Sequence, residues 1–381
     1  MRHHKYNPDF KFVAEPIDFN KYTEREVLQY CLGATMYMPG TKDIASKILD
    51  RDMPGLTSMV MCFEDACPED EVQEAEDNAL KFLDKISNAL DSGRITYDDI
   101  PLIFCRVRTP EQFKDFSSRL TRQHLKVLTG INFPKFNTKN GDIYFSHLKE
   151  LNEKHGEMLY GMPIIEDQVV AFKETRIQEL LGIKSILDNY KSLVLQVRVG
   201  ATDFSSYFGV RRGVDYTIYD IHTVRDCLID ILNIFSRDND YVVSGPVWEY
   251  FRASVDMKFK KLPKHDINAS IITRTPIVNN EVDGLLREVI LDKANGFVGR
   301  TIIHPSHIKY VNGMQAITRE EYEDACQILS SHDGVVKSAH SNKMNEIKPH
   351  LSWAQKIYNI AKAYGVIEDA SQYIELFDVD D

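Results

Sequence analysis

The strongest constraint on this chain is a rhythm. Eight short apolar or β-branched runs recur along it, separated by longer stretches with helical spacing. The runs are LGATMYMPG (32–40), TSMVMCFEDA (57–66), PLIFCRVRT (101–109), LTGINFPKF (128–136), MLYGMPIIED (158–167), SLVLQVRVGATDF (192–204), DYVVSGPVWEY (240–250) and GRTIIHP (299–305). Helix-like segments occupy 69–90, 110–126, 142–155, 168–189 and 221–236. Strands of this kind alternating with helices belong to a parallel sheet buried on both sides. Eight such units close a (β/α)8, or TIM, barrel of the α/β class. An open doubly wound sheet is the competing arrangement, but the glycine-rich phosphate loop expected after its first strand is missing.

Departures from the rhythm draw the domain map. Residues 251–283 exceed an ordinary βα connection and predict an insertion after the seventh strand. ITREEYEDACQILSSH and LSWAQKIYNIAKAYG read as amphipathic helices joined by a polar, mobile linker near 333–349, and ELFDVDD reads as a frayed end. The expected division is an N-terminal extension over 1–30, the barrel over 31–315 and a helical C-terminal segment over 316–381.

Composition narrows the function. A formal net charge of -11 argues against general nucleic-acid binding, which draws most of its affinity from a basic face. It leaves room for a local basic pocket. The 6 cysteines stand singly, with no CxxC pair, which suits a reducing cytoplasm. The first twenty residues are polar and broken by prolines, unlike a signal peptide. No apolar run approaches the roughly 18 residues of a membrane helix. A cytoplasmic protein with no membrane partner is expected.

In a barrel, chemistry sits at the C-terminal ends of the strands. Those tips carry Glu64, Asp65, Arg106, Arg108, Lys135, Glu166, Asp167, Asp203 and His304. Each acid alone could be a helix cap or a first-turn charge favoured by the helix dipole. Gathered together, carboxylates repel and need a cation to stay ionised at neutral pH. HPSH (304–307) is too sparse for zinc. Hard oxygen ligands fit Mg²⁺, which takes one or two protein carboxylates and keeps several waters. Two acids are expected to touch the metal, with the Glu64–Asp65 pair orienting its waters.

Seven motifs, MYMPGTK, FEDACPEDE, CRVRT, FPKF, PIIED, VGATDF and GFVGRTIIHPSHI, resemble in order those of the citrate lyase β-subunit / malyl-CoA lyase family. That family lies within the HpcH/HpaI aldolase superfamily, and the resemblance spans roughly 33 to 332. It implies a Mg²⁺-dependent barrel, assembled as a trimer or hexamer, that makes or breaks C–C bonds in β-hydroxyacyl thioesters or related acids. Carried over by motif, Glu166 and Asp203 become the metal ligands and Arg106 the substrate-binding arginine. Glu64 and Asp65 become the acidic pair beside the metal. Lys42 becomes a contact for CoA phosphates, and Lys135 a neighbour of the site. Arg108 stands where relatives usually have Asn, and DQVV replaces the small residues that usually follow the metal-binding Glu. With the insertion, these departures resemble a divergent C–C bond lyase branch that accompanies stress-resistance gene clusters.

The expected activity is a Mg²⁺-dependent C–C lyase or aldolase acting on a hydroxy or keto acid or its acyl-CoA thioester. The general base is left open between Asp65 and a carboxylate from a neighbouring subunit. An enzymatic alternative uses the same site for thioester hydrolysis or a phosphorylated substrate, with Arg108, Arg211 and Arg212 recruited to anions. A different alternative is a non-catalytic component of a stress-response complex. Crowding of Arg106, Arg108, Arg211 and Arg212 at the mouth favours a compact polyanion, such as a small phosphorylated or multi-carboxylate acid, over CoA.

Overall fold

Alternation within each apolar run decides which side chains face the barrel interior and which face the helices. The computed structural model describes residues 1–251, 277–332, 334–338 and 343–377. Its main sheet contains β1 (Ala34–Pro39), β2 (Ser58–Cys62), β3 (Leu102–Arg106), β4 (Leu128–Phe133), β5 (Tyr160–Ile165), β6 (Arg198–Val199) and β7 (Arg300–Ile302). All pair in parallel, in the order β6-β5-β4-β3-β2-β1-β7.

The two edges meet through the run predicted as the seventh strand. Val243 bridges Val197 beside β6, and Gly245 bridges Arg300 of β7, both in parallel. Val197 N–H donates to Val242 O at 2.9 Å, and Gly245 N–H donates to Gly299 O at 3.0 Å. This stave is reduced to bridges because Pro246 has no N–H to continue the ladder. The chain then turns aside, and Trp248 packs under the Arg212 guanidinium. With that stave in place the (β/α)8 barrel is closed.

The buried apolar residues form two clusters. Met59, Met61, Ile103, Cys105, Ile131 and Phe133 pack against helix residues such as Phe82, Phe113, Tyr144 and Leu148. The opposite register, Val60, Leu102, Phe104, Met162, Leu195 and Val242, joins Phe19, Leu28, Leu32, Ile317, Ile360, Tyr364 and Val366. Both ends of the chain therefore plug the N-terminal end of the barrel. Side chains of the inward register nearer the C-terminal tips, including Tyr37, Arg106 and Arg198, line a cavity there.

The C-terminal helices run over Arg319–Ser330 and Ile347–Tyr364. Val366–Ile367 pairs with Ile317–Thr318 in parallel, and Ala14 bridges Val366. The segment read as a polar linker contains an antiparallel pair, Val335–Lys337 with Met344–Glu346. Of the stretch read as a frayed end, residues 375–377 belong to the helix Gln372–Phe377, with Leu376 and Phe377 buried, and 378–381 lie outside the described residues. Most of the predicted insertion, 252–276, lies outside the described residues. Its last residues begin the helix Asn280–Asn295, which Asn279 caps through Val282 N–H. Among the described residues no helix is long and apolar enough to cross a membrane.

Candidate active site

The strand tips converge on a cavity of about 420 Å³ whose lining includes Tyr37, Asp65, Arg106, Glu166, Arg198 and Asp203. Glu166 follows β5 directly and is 2% exposed. Asp203 lies in the first turn of the short helix Ala201–Tyr207, which follows β6. The two carboxyl groups are close enough to share a hydrogen bond. Burial, followed by the charge of Asp203, pushes the Glu166 carboxyl up. Burial pushes Asp203 up as well. Gly200 makes this approach possible, since a Cβ there would lie 2.2 Å from Glu166 Oε2.

Lys135 organises the acids from the end of β4. Its φ of 46° places it in the left-handed region, uncommon outside glycine and a form of strain that recurs at functional sites. The conformation points its N–H at Glu166 Oε1, 3.0 Å away. Its ammonium donates to Glu64 Oε1 and lies 3.5 Å from Asp65 Oδ1.

Glu64 is buried with Arg106 Nη1 3.1 Å from Oε2, and the Asp65 N–H donates to the same oxygen at 2.9 Å. Burial alone would push Glu64 up, but Arg106, Asp65 and Lys135 together hold it well below the usual carboxylate range. Asp65 is half-exposed and moves the other way, raised by burial and by its contact with Glu64. Two adjacent acids thus have opposite tendencies: Glu64 stays ionised while Asp65 holds its proton more readily. Arg106 completes the group, with Nε 3.1 Å from Cys62 Sγ and its guanidinium 5.5 Å from the Tyr37 ring centroid.

The other expected site residues are placed elsewhere. Arg108 turns back on its own loop, donating to Phe63 O and Cys67 O at 2.7 Å each. Lys42 and Arg211 are exposed and do not line the cavity. Arg212 is buried behind the barrel wall against Glu249 and Glu288. Asp167 caps the short helix after β5 through Val169 N–H and accepts from Asn137 Nδ2 at 2.9 Å. His304 caps Pro305–His307 and stacks on Phe251, while His307 Nε2 meets Tyr250 O at 3.1 Å. Among the described residues, no group of three or more His, Cys, Asp or Glu side chains is gathered to hold a metal.

Three inward residues escaped the sequence reading. Tyr37, Asn132 and Arg198 lie in the inward register of β1, β4 and β6, and Asn132 Nδ2 donates to the Tyr37 hydroxyl at 2.5 Å. The signal was the period-2 alternation itself, since Gln196 and Arg198 interrupt an otherwise valine-rich strand at the inward positions.

A closed (β/α)8 barrel with acids and a buried arginine at its C-terminal mouth defines a TIM-barrel protein with its site in the usual place for the fold. The chain belongs to a family of carbon–carbon bond lyases: the model of the C-C_Bond_Lyase of the TIM-Barrel fold matches residues 26–366. Among solved structures, it is similar to the CitE protein of Mycobacterium tuberculosis in complex with magnesium, acetoacetate and coenzyme A. That match has 16% identity and a TM-score of 0.49, covering 87% of this chain and 99% of the other. It is also similar to Haloferax volcanii malate synthase in a pyruvate/acetyl-CoA ternary complex, with 11% identity, a TM-score of 0.45 and coverage of 87% and 89%. An HpcH/HpaI aldolase from Desulfitobacterium hafniense DCB-2 matches at 10% identity, with a TM-score of 0.38 and coverage of 71% and 85%. No curated protein matches the chain in sequence.

Proposed function

We propose that the protein is a Mg²⁺-dependent carbon–carbon bond lyase that cleaves or forms a β-hydroxy acid or its acyl-CoA thioester. The observation that carries this reading is the pairing of buried Glu166 with half-buried Asp203 beside Arg106. Two carboxylates held together at this cost are poorly matched to each other and well matched to a divalent cation. Their hard oxygens and their number fit Mg²⁺, which needs only one or two protein carboxylates and completes its shell with water. Mg²⁺ held by Glu166 and Asp203 would supply Lewis acidity toward an α-keto or α-hydroxy carboxylate.

The protein's own groups account for the rest of the reaction. In cleavage the β-hydroxyl loses its proton to a base and the bond between the α and β carbons breaks. Its electron pair stays on the α carbon as an enolate, and the other fragment leaves as a carbonyl compound. Asp65 is the base of this proposal. It borders the cavity, is partly open to water, and has its proton affinity raised by burial and Glu64, so it can take that proton and return it. Arg106 offers a fixed cationic fork to the enolate or carboxylate oxygen, and ionised Glu64 holds that fork in place. Lys135 keeps Glu64 and Glu166 in register through its side chain and its backbone.

A cleavage assay with Mg²⁺ over a panel of β-hydroxy acids and acyl-CoA thioesters tests the reading, with the carbonyl product as the readout. Arg106→Lys should lower kcat/KM at least about tenfold, because an ammonium cannot reproduce a bidentate fork. Near-normal turnover in that variant would reduce Arg106 to a structural ion pair.

A further inference from the structure

Arg198 is a cation without a counterion. It points into the barrel from β6 and is 1% exposed. Its Nη1 donates to Thr35 Oγ1 at 3.3 Å and Gln196 Oε1 at 3.2 Å, and its Nη2 donates to Thr301 Oγ1 at 2.8 Å. Its Nε has no partner. Every group it touches is neutral, and among the described residues it makes no ion pair. Burying a guanidinium among hydroxyls and amides is costly unless something else compensates it.

The charges around the cavity otherwise match. Arg106 and Lys135 are met by Glu64 and Asp65. On the reading given above, a divalent cation meets Glu166 and Asp203. Arg198 is left over, and it lines the same cavity. It sits two residues before Gly200, one pleat deeper than the acid pair. The Tyr37 ring lies 5.5 Å from each guanidinium group, so the two arginines border one space. Thr301 Oγ1 accepts from Arg198 and keeps its own O–H to donate to an anion.

We propose that Arg198 seats a carboxylate of the substrate at the floor of the cavity, so that the substrate is a compact acid with at least two carboxylates. One is held near Arg106 and the other at Arg198. The inference rests on the proposed lyase site, where the metal pair and Arg106 already take the groups that react, so a second buried arginine takes an additional acid. One uncompensated positive charge suits a carboxylate better than a phosphate dianion. A cavity of about 420 Å³ holds an acid of this size.

Calorimetry on the full chain with saturating Mg²⁺ tests this with matched pairs: succinate against butyrate, malate against 2-hydroxybutyrate, and 2-oxoglutarate against 2-oxopentanoate. Inorganic phosphate serves as a further probe. At least one diacid should bind at least about tenfold more tightly than its monoacid. Arg198→Gln should erase the difference, and Arg198→Lys should restore part of it. The wild-type comparison decides the matter even if a variant fails to fold. No tenfold preference in any pair, a preference that survives in Arg198→Gln, or phosphate bound more tightly than every diacid would each overturn the proposal. Mg²⁺ binding measured in the same experiments separates the two readings. Metal bound without a diacid preference removes only the Arg198 seat, and a diacid preference without metal binding removes only the metal site.

Discussion

Buried arginines occur on both sides of the barrel wall: Arg212 and Arg300 outside are matched by carboxylates, as Arg106 is inside, and Arg198 inside is not. Outside, between β7 and the helix Asn280–Asn295, Arg300 Nη2 donates to Glu288 Oε2 at 2.6 Å and Nη1 lies 3.2 Å from Asp292 Oδ2. Arg212 pairs with Glu249 and with the same Glu288. Both cations there have carboxylates in contact, and Tyr219 O–H and Pro246 O take up further bonds. Inside, Glu166 faces another acid, and Arg198 faces only neutral groups. Matched charge outside fastens a helix to a strand. Unmatched charge inside is a cost that folding alone does not explain, and it lines a cavity where a ligand could offset it.

The sharpest way to break this comparison is to unbalance the matched side. Glu288 is 0% exposed and holds both Arg212 and Arg300. Glu288→Gln should destabilise the fold by about 3–5 kcal/mol, the usual cost of stranding a buried charge. Urea denaturation reads this directly, and a loss below about 1 kcal/mol would show that the network does not hold the wall.

A proton can unbalance the same region. His307 lies beside Arg300, and burial, then Arg300 and His304, push it down to about 4. Its folded value lies below its unfolded one, so its contribution is fully present above about pH 6.5 and is lost as the pH falls through 4. That contribution is about 3 kcal/mol. Acid unfolding of His307→Gln should be less steep over that window than in wild type. Superimposable pH profiles would remove His307 from the account.

The smallest expected effect lies on the unmatched side. Arg198→Met keeps an unbranched apolar stem and removes a charge that has no counterion, so stability should change by less than about 1 kcal/mol or rise. A loss comparable to that of Glu288→Gln would mean that Arg198 is a strut across the barrel rather than a seat for a ligand.

The contrast also marks what the sequence could show. The eight runs were legible because period-2 apolar patterns and intervening helical spacing survive in any context. Glu166 was legible because an acid directly after MPII has no ordinary place in a buried strand. Arg108 was not. It lies past the last β3 residue, where the chain has left the strand and alternation no longer reports direction, and its side chain turns back to the carbonyls of Phe63 and Cys67. Arg212 beside Arg211 read as an anion site, because Glu249 and Glu288 lie 37 and 76 residues away along the chain. Arg198 was overlooked although alternation placed it inward. Only the folded barrel shows that no carboxylate meets it.

The central claim is that Glu166 and Asp203 are gathered to hold a divalent cation. Thermal unfolding of wild type and of the Glu166→Gln/Asp203→Asn double variant, each titrated with Mg²⁺, tests it most directly. Mg²⁺ at a hundred times its Kd should stabilise the wild type by about 2.7 kcal/mol, seen as a rise in Tm. The double variant should show no rise, and without metal it should be at least as stable as wild type, because two crowded carboxylates have become amides. An equal rise in both proteins, or none in the wild type, would contradict the account.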